Sequence, residues 1–101
     1  MTNSQQEKGM KFDSGKLLYS LIPPETNKAL AEVLTFGAQK YPPNNWMLVE
    51  NGKQRYLDAL YRHLQAYRLG ETIDPESGLH HLAHALSNIV FLHYLETTKK
   101  D

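Results

Sequence analysis

Between Glu71 and Asn88 the chain reads Glu71-Thr-Ile-Asp74-Pro-Glu76-Ser-Gly-Leu-His80-His81-Leu-Ala-His84-Ala-Leu-Ser-Asn88, so three carboxylates lead directly into a run of three histidines. Carboxylates and imidazoles are the side chains that hold divalent ions and move protons near neutral pH. An ion that activates water or shields a polyphosphate needs several such ligands converging from different elements. Glu71, Asp74 and Glu76 offer oxygen, and His81 and His84 offer nitrogen within the helix that should follow. Mg²⁺ prefers the carboxylates and keeps waters, whereas Mn²⁺ accepts imidazole more readily. The expected metal ligands are Asp74, Glu76, His81 and His84. No cysteine is present, which removes disulfides, thiolate nucleophiles and Cys-ligated zinc. No Ser/His/Asp arrangement can be assembled from spacing, and no glycine-rich phosphate loop follows a strand.

The elements that must position this cluster are helices. Glu25 to about Lys40 carries Ala29, Leu30, Val33, Leu34 and Phe36 at three- and four-residue spacing, as a helix with one buried face requires. The loop Tyr41-Pro-Pro-Asn44-Asn45-Trp46 stops it, and places two amides beside the only tryptophan. Trp46 there either anchors the core or stacks on a base read by Asn44 or Asn45. A second helix runs from about Lys53 to Leu69 with Gly70 as its stop. Tyr56, Leu57, Leu60, Leu64 and Tyr67 form its apolar face. Arg55, Asp58 and Arg62 lie opposite, with Asp58 and Arg62 spaced as an ion pair. His63 falls at the edge of the apolar face, as a core histidine or a ligand.

The third helix is expected to start with Asp74 as N-cap, Pro75 at the first helical position and Glu76 in the first turn. Leu79, Leu82, Leu86, Ile89 and Val90 would form a continuous aliphatic face, and His93 belongs to it as a core residue. His81, His84 and Asn88 share nearly the opposite face, which turns apolar at Phe91, Leu92 and Leu95. A helix apolar on both sides suits the centre of a bundle or a contact between copies. Before the helices, Leu17-Leu18-Tyr19-Ser20-Leu21-Ile22 reads as a short segment packed on the domain, ending at Pro23-Pro24. Lys11-Phe-Asp-Ser-Gly15-Lys16 is a turn whose glycine could let backbone approach a ligand. The fold expected is therefore all-α, a compact bundle of about three main helices with an irregular N-terminal segment. Residues 1–9 form a mobile tail and 10–101 a single domain.

At 101 residues the core is modest, and association of copies would supplement it. Eleven basic residues balance eleven acidic ones, which speaks against a broad nucleic-acid footprint or affinity for anionic membrane. Any phosphate recognition must be local. No apolar run is long enough to cross a bilayer, and the polar N-terminus is unlike a signal peptide, so a cytoplasmic protein is expected.

An ordered series of motifs adds to this reading: Phe12-Asp-Ser-Gly-Lys16, Leu21-Ile-Pro-Pro24, Phe36-Gly-Ala-Gln-Lys-Tyr41, Asn45-Trp46, Arg62-His63-Leu64 and the block from Gly70 to Asn88. Over about residues 9 to 96 the chain resembles the phage dATP/dGTP diphosphohydrolase N-terminal domain family, which is MazZ-like. The resemblance implies a phage-encoded, helical nucleotide pyrophosphatase related in style to MazG-type enzymes. Such an enzyme cleaves a purine deoxynucleoside triphosphate to the monophosphate and pyrophosphate with Mg²⁺ or a similar ion. In some phages this serves the replacement of adenine by 2-aminoadenine. MazG-type enzymes usually bind their ions through Glu-x-x-Glu and Glu-x-x-Asp pairs on helices. Here the position similar to the second pair reads His81-Leu-Ala-His84, and Glu71-Thr-Ile-Asp74 has the spacing but precedes the helix.

For that activity the expected catalytic residues are Glu71, Asp74, Glu76, His63 and His84, acting in water attack on a phosphoryl centre. Lys16, Lys40 and Arg62 would neutralise phosphate oxygens, Trp46 and Asn45 would hold the base, and Asn88 would complete the substrate site. The partners expected are a purine deoxynucleotide or other nucleotide and further copies of the chain, with no polymeric nucleic acid and no membrane. The competing expectation is a non-catalytic phage protein that binds and sequesters a cyclic nucleotide defence signal. It would use the same lysines, Arg62 and Trp46 without an ion. A helical scaffold with no ligand is a third reading.

Overall fold

The computed structural model describes residues 8–98, and the expected tail therefore falls largely outside the described residues. Three helices of equal length carry the fold: α1 (Pro24–Lys40), α2 (Gly52–Arg68) and α3 (His81–Thr97). Single 3₁₀ turns at Tyr19–Leu21 and Asn45–Leu48 precede α1 and α2. Among the described residues no strand forms, and an isolated bridge joins Ile73 to His80. The all-helical class and the three helices agree with the periodicity.

Local chemistry explains most boundaries. Pro24 occupies the first turn of α1, where its missing N–H costs nothing. Helix α2 ends where Gly70 takes a positive φ of 106°, which lets its N–H reach the Tyr67 carbonyl while the Glu71 N–H reaches Ala66. Helix α3 starts later than Asp74 suggests. His80 is its N-cap, with Nδ1 accepting from the Leu82 N–H at 3.0 Å. Residues 72–80 instead form a tight loop, closed by His81 N–H to the Thr72 carbonyl and Asp74 N–H to the Leu79 carbonyl. The Asp74 carboxylate does cap a backbone N–H, that of Glu76 at 2.9 Å, but inside this loop and not at a helix start. Gly78, at φ 75°, allows the loop to turn back.

Helices α2 and α3 run antiparallel and form the main contact, with α1 laid against α3. Gly52 meets Leu95, Tyr56 meets Phe91, His63 meets His84 and Tyr67 meets His80, a register that holds along the whole pair. The face of α3 turned inward is the polar one. His81, Ala83, Ala85, Ser87 and Asn88 are buried, while Leu82 and Ile89 are 41% and 50% exposed and His93 is exposed too. Of the expected aliphatic core face only Leu79, Leu86 and Val90 are half-buried, with Leu82 and Ile89 turned outward, and His93 is no core residue. On this side His81 and His84 find partners in His63, Glu71 and Ser77, so the polar side wins the contact.

Two further expectations are corrected. The segment Leu17–Ile22 does not pack on the domain: all six residues are exposed and the 3₁₀ turn within it touches no other helical element. On α2, Leu64 and Tyr67 of the anticipated apolar face are exposed. Asp58 accepts from Gln54 Nε2 at 3.1 Å and makes no ion pair with Arg62 among the described residues.

Candidate functional site: an imidazole–carboxylate cluster on a cleft

The register of α2 against α3 brings His63 between two histidines of the neighbouring helix. Its ring stacks on His84 at 4.6 Å and 8°, and its Nδ1 lies 2.9 Å from His81 Nδ1. On the far side, His81 Nε2 meets Glu71 Oε1 at 2.7 Å. A neutral His81 that donates to Glu71 has only a lone pair at Nδ1, and His63 Nδ1–H must then supply the shared proton. Asp74 comes from the loop. One of its oxygens is held by the Glu76 N–H and the other lies 3.6 Å from His84 Nε2. Ser77 Oγ contacts the same nitrogen at 2.6 Å while accepting from the Leu79 N–H, and so ties His84 to the loop.

Burial is what tunes these rings. Desolvation pulls His63 below its ordinary value of 6.5, and the neighbouring His84 adds to the effect. Desolvation likewise lowers His84, against the opposing pull of Asp74. Both are neutral at pH 7 and can accept a proton or offer a lone pair.

One ligand atom each from His63, Asp74 and His81 lies within 4.8 Å of the other two. Two ring nitrogens 2.9 Å apart suit neighbouring ligands of one ion, because bonds of about 2.1 Å at a right angle separate their ends by about 3.0 Å. Glu71 behind His81 is the carboxylate that would orient a ligating imidazole. The donor set of two imidazoles and one carboxylate fits Mn²⁺ and similar transition ions better than Mg²⁺.

A cleft of about 1100 Å³ opens beside the cluster. Lys40, Asn45, Trp46, Arg62, His63, Asp74, Glu76, His84 and Asn88 line it, so most of the residues singled out by spacing do share one site. His81 and Glu71 do not line it: His81 touches His63, which does, and Glu71 touches His81. Lys16 does not line it. Glu76 is turned to Lys40, 2.8 Å away, which joins the loop to the end of α1. Asn88 donates to the His84 carbonyl at 2.9 Å, leaving its own carbonyl as the group a ligand could use. Trp46 stacks on Phe91 at 4.4 Å and meets Tyr94 edge-on at 5.2 Å, while Tyr56 donates to its carbonyl. It is an aromatic anchor whose surface also lines the cleft.

Sequence reasoning missed Arg55 as a cleft cation and Ser77 as the partner of His84, and it left His63 open between a core residue and a ligand. Its spacing could have flagged Arg55, which lies seven residues before Arg62 on the same face of α2. Nothing local identifies Ser77.

The family model described as dATP/dGTP diphosphohydrolase, N-terminal, matches residues 6–101. A dATP/dGTP diphosphohydrolase of Salmonella phage PMBT28 is 42% identical over 87 residues, which are 86% of this chain and 29% of that protein. The chain therefore spans less than a third of that relative. No solved structure matches. Because the family match takes in the segment before α1, all three helices and the loop that holds Asp74, the chain belongs to the dATP/dGTP diphosphohydrolase N-terminal family.

Proposed function

We propose that the cleft binds a purine deoxynucleoside triphosphate and that the cluster beside it promotes hydrolysis to the monophosphate and pyrophosphate. The observation that carries this reading is the convergence of His63, Asp74 and His81 from two helices and a loop next to a cleft bearing Arg55 and Arg62. A relative carrying the name dATP/dGTP diphosphohydrolase supports the substrate class.

In this reading Arg55 and Arg62 meet phosphate oxygens, and a guanidinium can grip two at once. Lys40 joins them from the end of α1. Asn45 and the accessible edge of Trp46 face the base. His63, Asp74 and His81 hold a divalent ion, best Mn²⁺, which supplies charge neutralisation on the phosphates and a more acidic water. His84, kept neutral by burial and oriented by Ser77, accepts the proton that the attacking water loses. The water oxygen bonds to phosphorus as the bridging P–O bond breaks and pyrophosphate departs. Glu71 orients His81, and Glu76 holds Lys40 in place.

The second reading, binding without cleavage, is favoured by one observation: the matched part is 29% of the relative, so that protein's activity can reside in the remainder. Incubating the purified chain with each deoxynucleoside triphosphate, with Mg²⁺, with Mn²⁺ or with chelator, separates the two. Monophosphate and pyrophosphate from dATP or dGTP, greatest with Mn²⁺, is the expected result. Nucleotide that binds and is recovered intact under all three conditions would establish the binding module instead.

A further inference from the structure

The arm before α1 leaves its large apolar side chains uncovered among the described residues. Met10 and Phe12 are each 80% exposed, and Leu17, Tyr19 and Leu21 are about three-quarters exposed. Leaving this many large apolar side chains in water on a short segment is unfavourable, and contiguous patches of this kind mark interaction sites. The bundle has a matching deficit. No large side chain in it is fully buried, and the stripe Leu82, Leu86, Ile89 of α3 faces outward or is only half covered.

The deficit is of the size that a stable interface between two copies would cover. A folded chain of 11.6 kDa is expected to expose about 5,800 Å², whereas this one exposes 8188 Å². Ten residues lie outside the described stretch, and counting all of them as fully solvated accounts for at most about 1,100 Å² of the difference. More than about 1,200 Å² of excess remains, above the roughly 800 Å² that each partner contributes to a standard stable interface. The longest dimension is 62 Å, although a 17-residue helix is only about 26 Å long, so the chain reaches well beyond its bundle. With equal numbers of acidic and basic residues, two copies do not repel one another.

The cleft also lacks something. Lys40, Arg55 and Arg62 are matched there by Asp58, Asp74 and Glu76, so the formal charges of the lining lysine, arginines and carboxylates cancel. The arm carries two further cations, Lys11 and Lys16, neither of which lines the cleft of its own chain. Lys16 closes a turn with its N–H on the Asp13 carbonyl, and Gly15 at φ 82° holds that turn.

We propose that the arm docks on a second copy of this chain, burying its apolar residues with the outward stripe of α3, and that it carries Lys16 to that copy's cleft. A symmetric exchange buries both patches twice and leaves neither copy with an open end. Each nucleotide site then has walls from one chain and a lysine from the other. The role of Lys16 rests on the proposed nucleotide function; the docking does not.

Two measurements test this. Light scattering or native mass spectrometry at tens of micromolar should give the wild-type chain a mass of about 23 kDa or a multiple of it, twice the 11.6 kDa monomer or more. The double substitution Leu17→Ser, Leu21→Ser should return it to the monomer mass with helical circular dichroism retained, since neither side chain supports its own bundle. A monomeric wild type, or an arm variant that keeps the wild-type mass, overturns the docking. For Lys16, the probe is a non-hydrolysable α,β-methylene analogue of dGTP. Lys16→Ala and Arg62→Ala should each lose about tenfold or more in affinity at unchanged mass. Co-refolding the two in equal amounts should restore about one quarter of the high-affinity sites, because half the pairs are mixed and each mixed pair has one intact site. No restoration means that Lys16 does not act across subunits. A wild type that fails to bind the analogue removes both the proposed function and the role of Lys16, and the mass comparison still decides the docking.

Discussion

Asp74→Asn is the substitution that separates an ion site from a purely structural hydrogen-bond cluster. Asn keeps the Oδ1 acceptor for the Glu76 N–H, so the loop from Thr72 to His80 retains its closing bonds. What it loses is the second carboxylate oxygen, 3.6 Å from His84 Nε2, and the charge that completes the set with His63 and His81. Without an ion the cost should be under about 1 kcal/mol, because a contact of that length is weak. With an ion the difference is large. An ion at about 100 times its dissociation constant stabilises the folded wild type by about 2.7 kcal/mol. If the variant binds about a hundredfold more weakly, the same ion contributes about 0.4 kcal/mol. At about 4–8 °C per kcal/mol for a domain of this size, the lost stabilisation is about 9–18 °C in Tm. The assay is thermal unfolding by circular dichroism at one protein concentration, with Mn²⁺ and with chelator, for both proteins. A wild type whose Tm ignores Mn²⁺, or an Asp74→Asn variant that keeps the full rise, would refute the ion site.

Ser77→Ala removes one oxygen that serves both His84 Nε2 and the Leu79 N–H, and should lower stability by about 1–3 kcal/mol in urea unfolding. Trp46→Ala should cost about 1–3 kcal/mol through its two aromatic contacts, with the loss visible in unfolding without any nucleotide; unchanged stability would make Trp46 a ligand group alone. His63 and His84 are lowered by burial, so below 6.5 the unfolded chain takes up protons that the folded chain resists. Their contribution is complete above about 6.5 and is lost as pH falls through the lowered folded values, so the urea midpoint in chelator should drop between pH 7.5 and 5.5 and drop less in His63→Leu.

How much of this was legible in the chain follows from the range over which each signal acts. Pro24, Gly70 and the apolar spacing of α1 and α2 act within a turn or two, and they located those helices closely. Asp74-Pro-Glu was equally strong as a helix start and misled, because Asp74 makes its capping bond to the Glu76 N–H inside a loop that the Thr72 and Leu79 carbonyls close. The residue types of the site were also readable: His63, Asp74, His81 and His84 were all singled out, although Glu76 was grouped with them and in fact turns to Lys40. Their pairing was not readable. That His63 faces His81 at 2.9 Å depends on the register of α2 against α3, and register is set by packing across the whole helix pair.

The sequence by itself determined that the chain is helical and that carboxylates and imidazoles lie close along it, since both are written in local spacing. Tertiary structure decided which side of α3 turns inward. Periodicity reports that a helix has two kinds of face, but only the partner helix determines which is covered, and here small and polar residues took the inner side because α2 met them with His63. Tertiary structure also decided that the apolar arm stays exposed among the described residues, a fact that no local pattern contains.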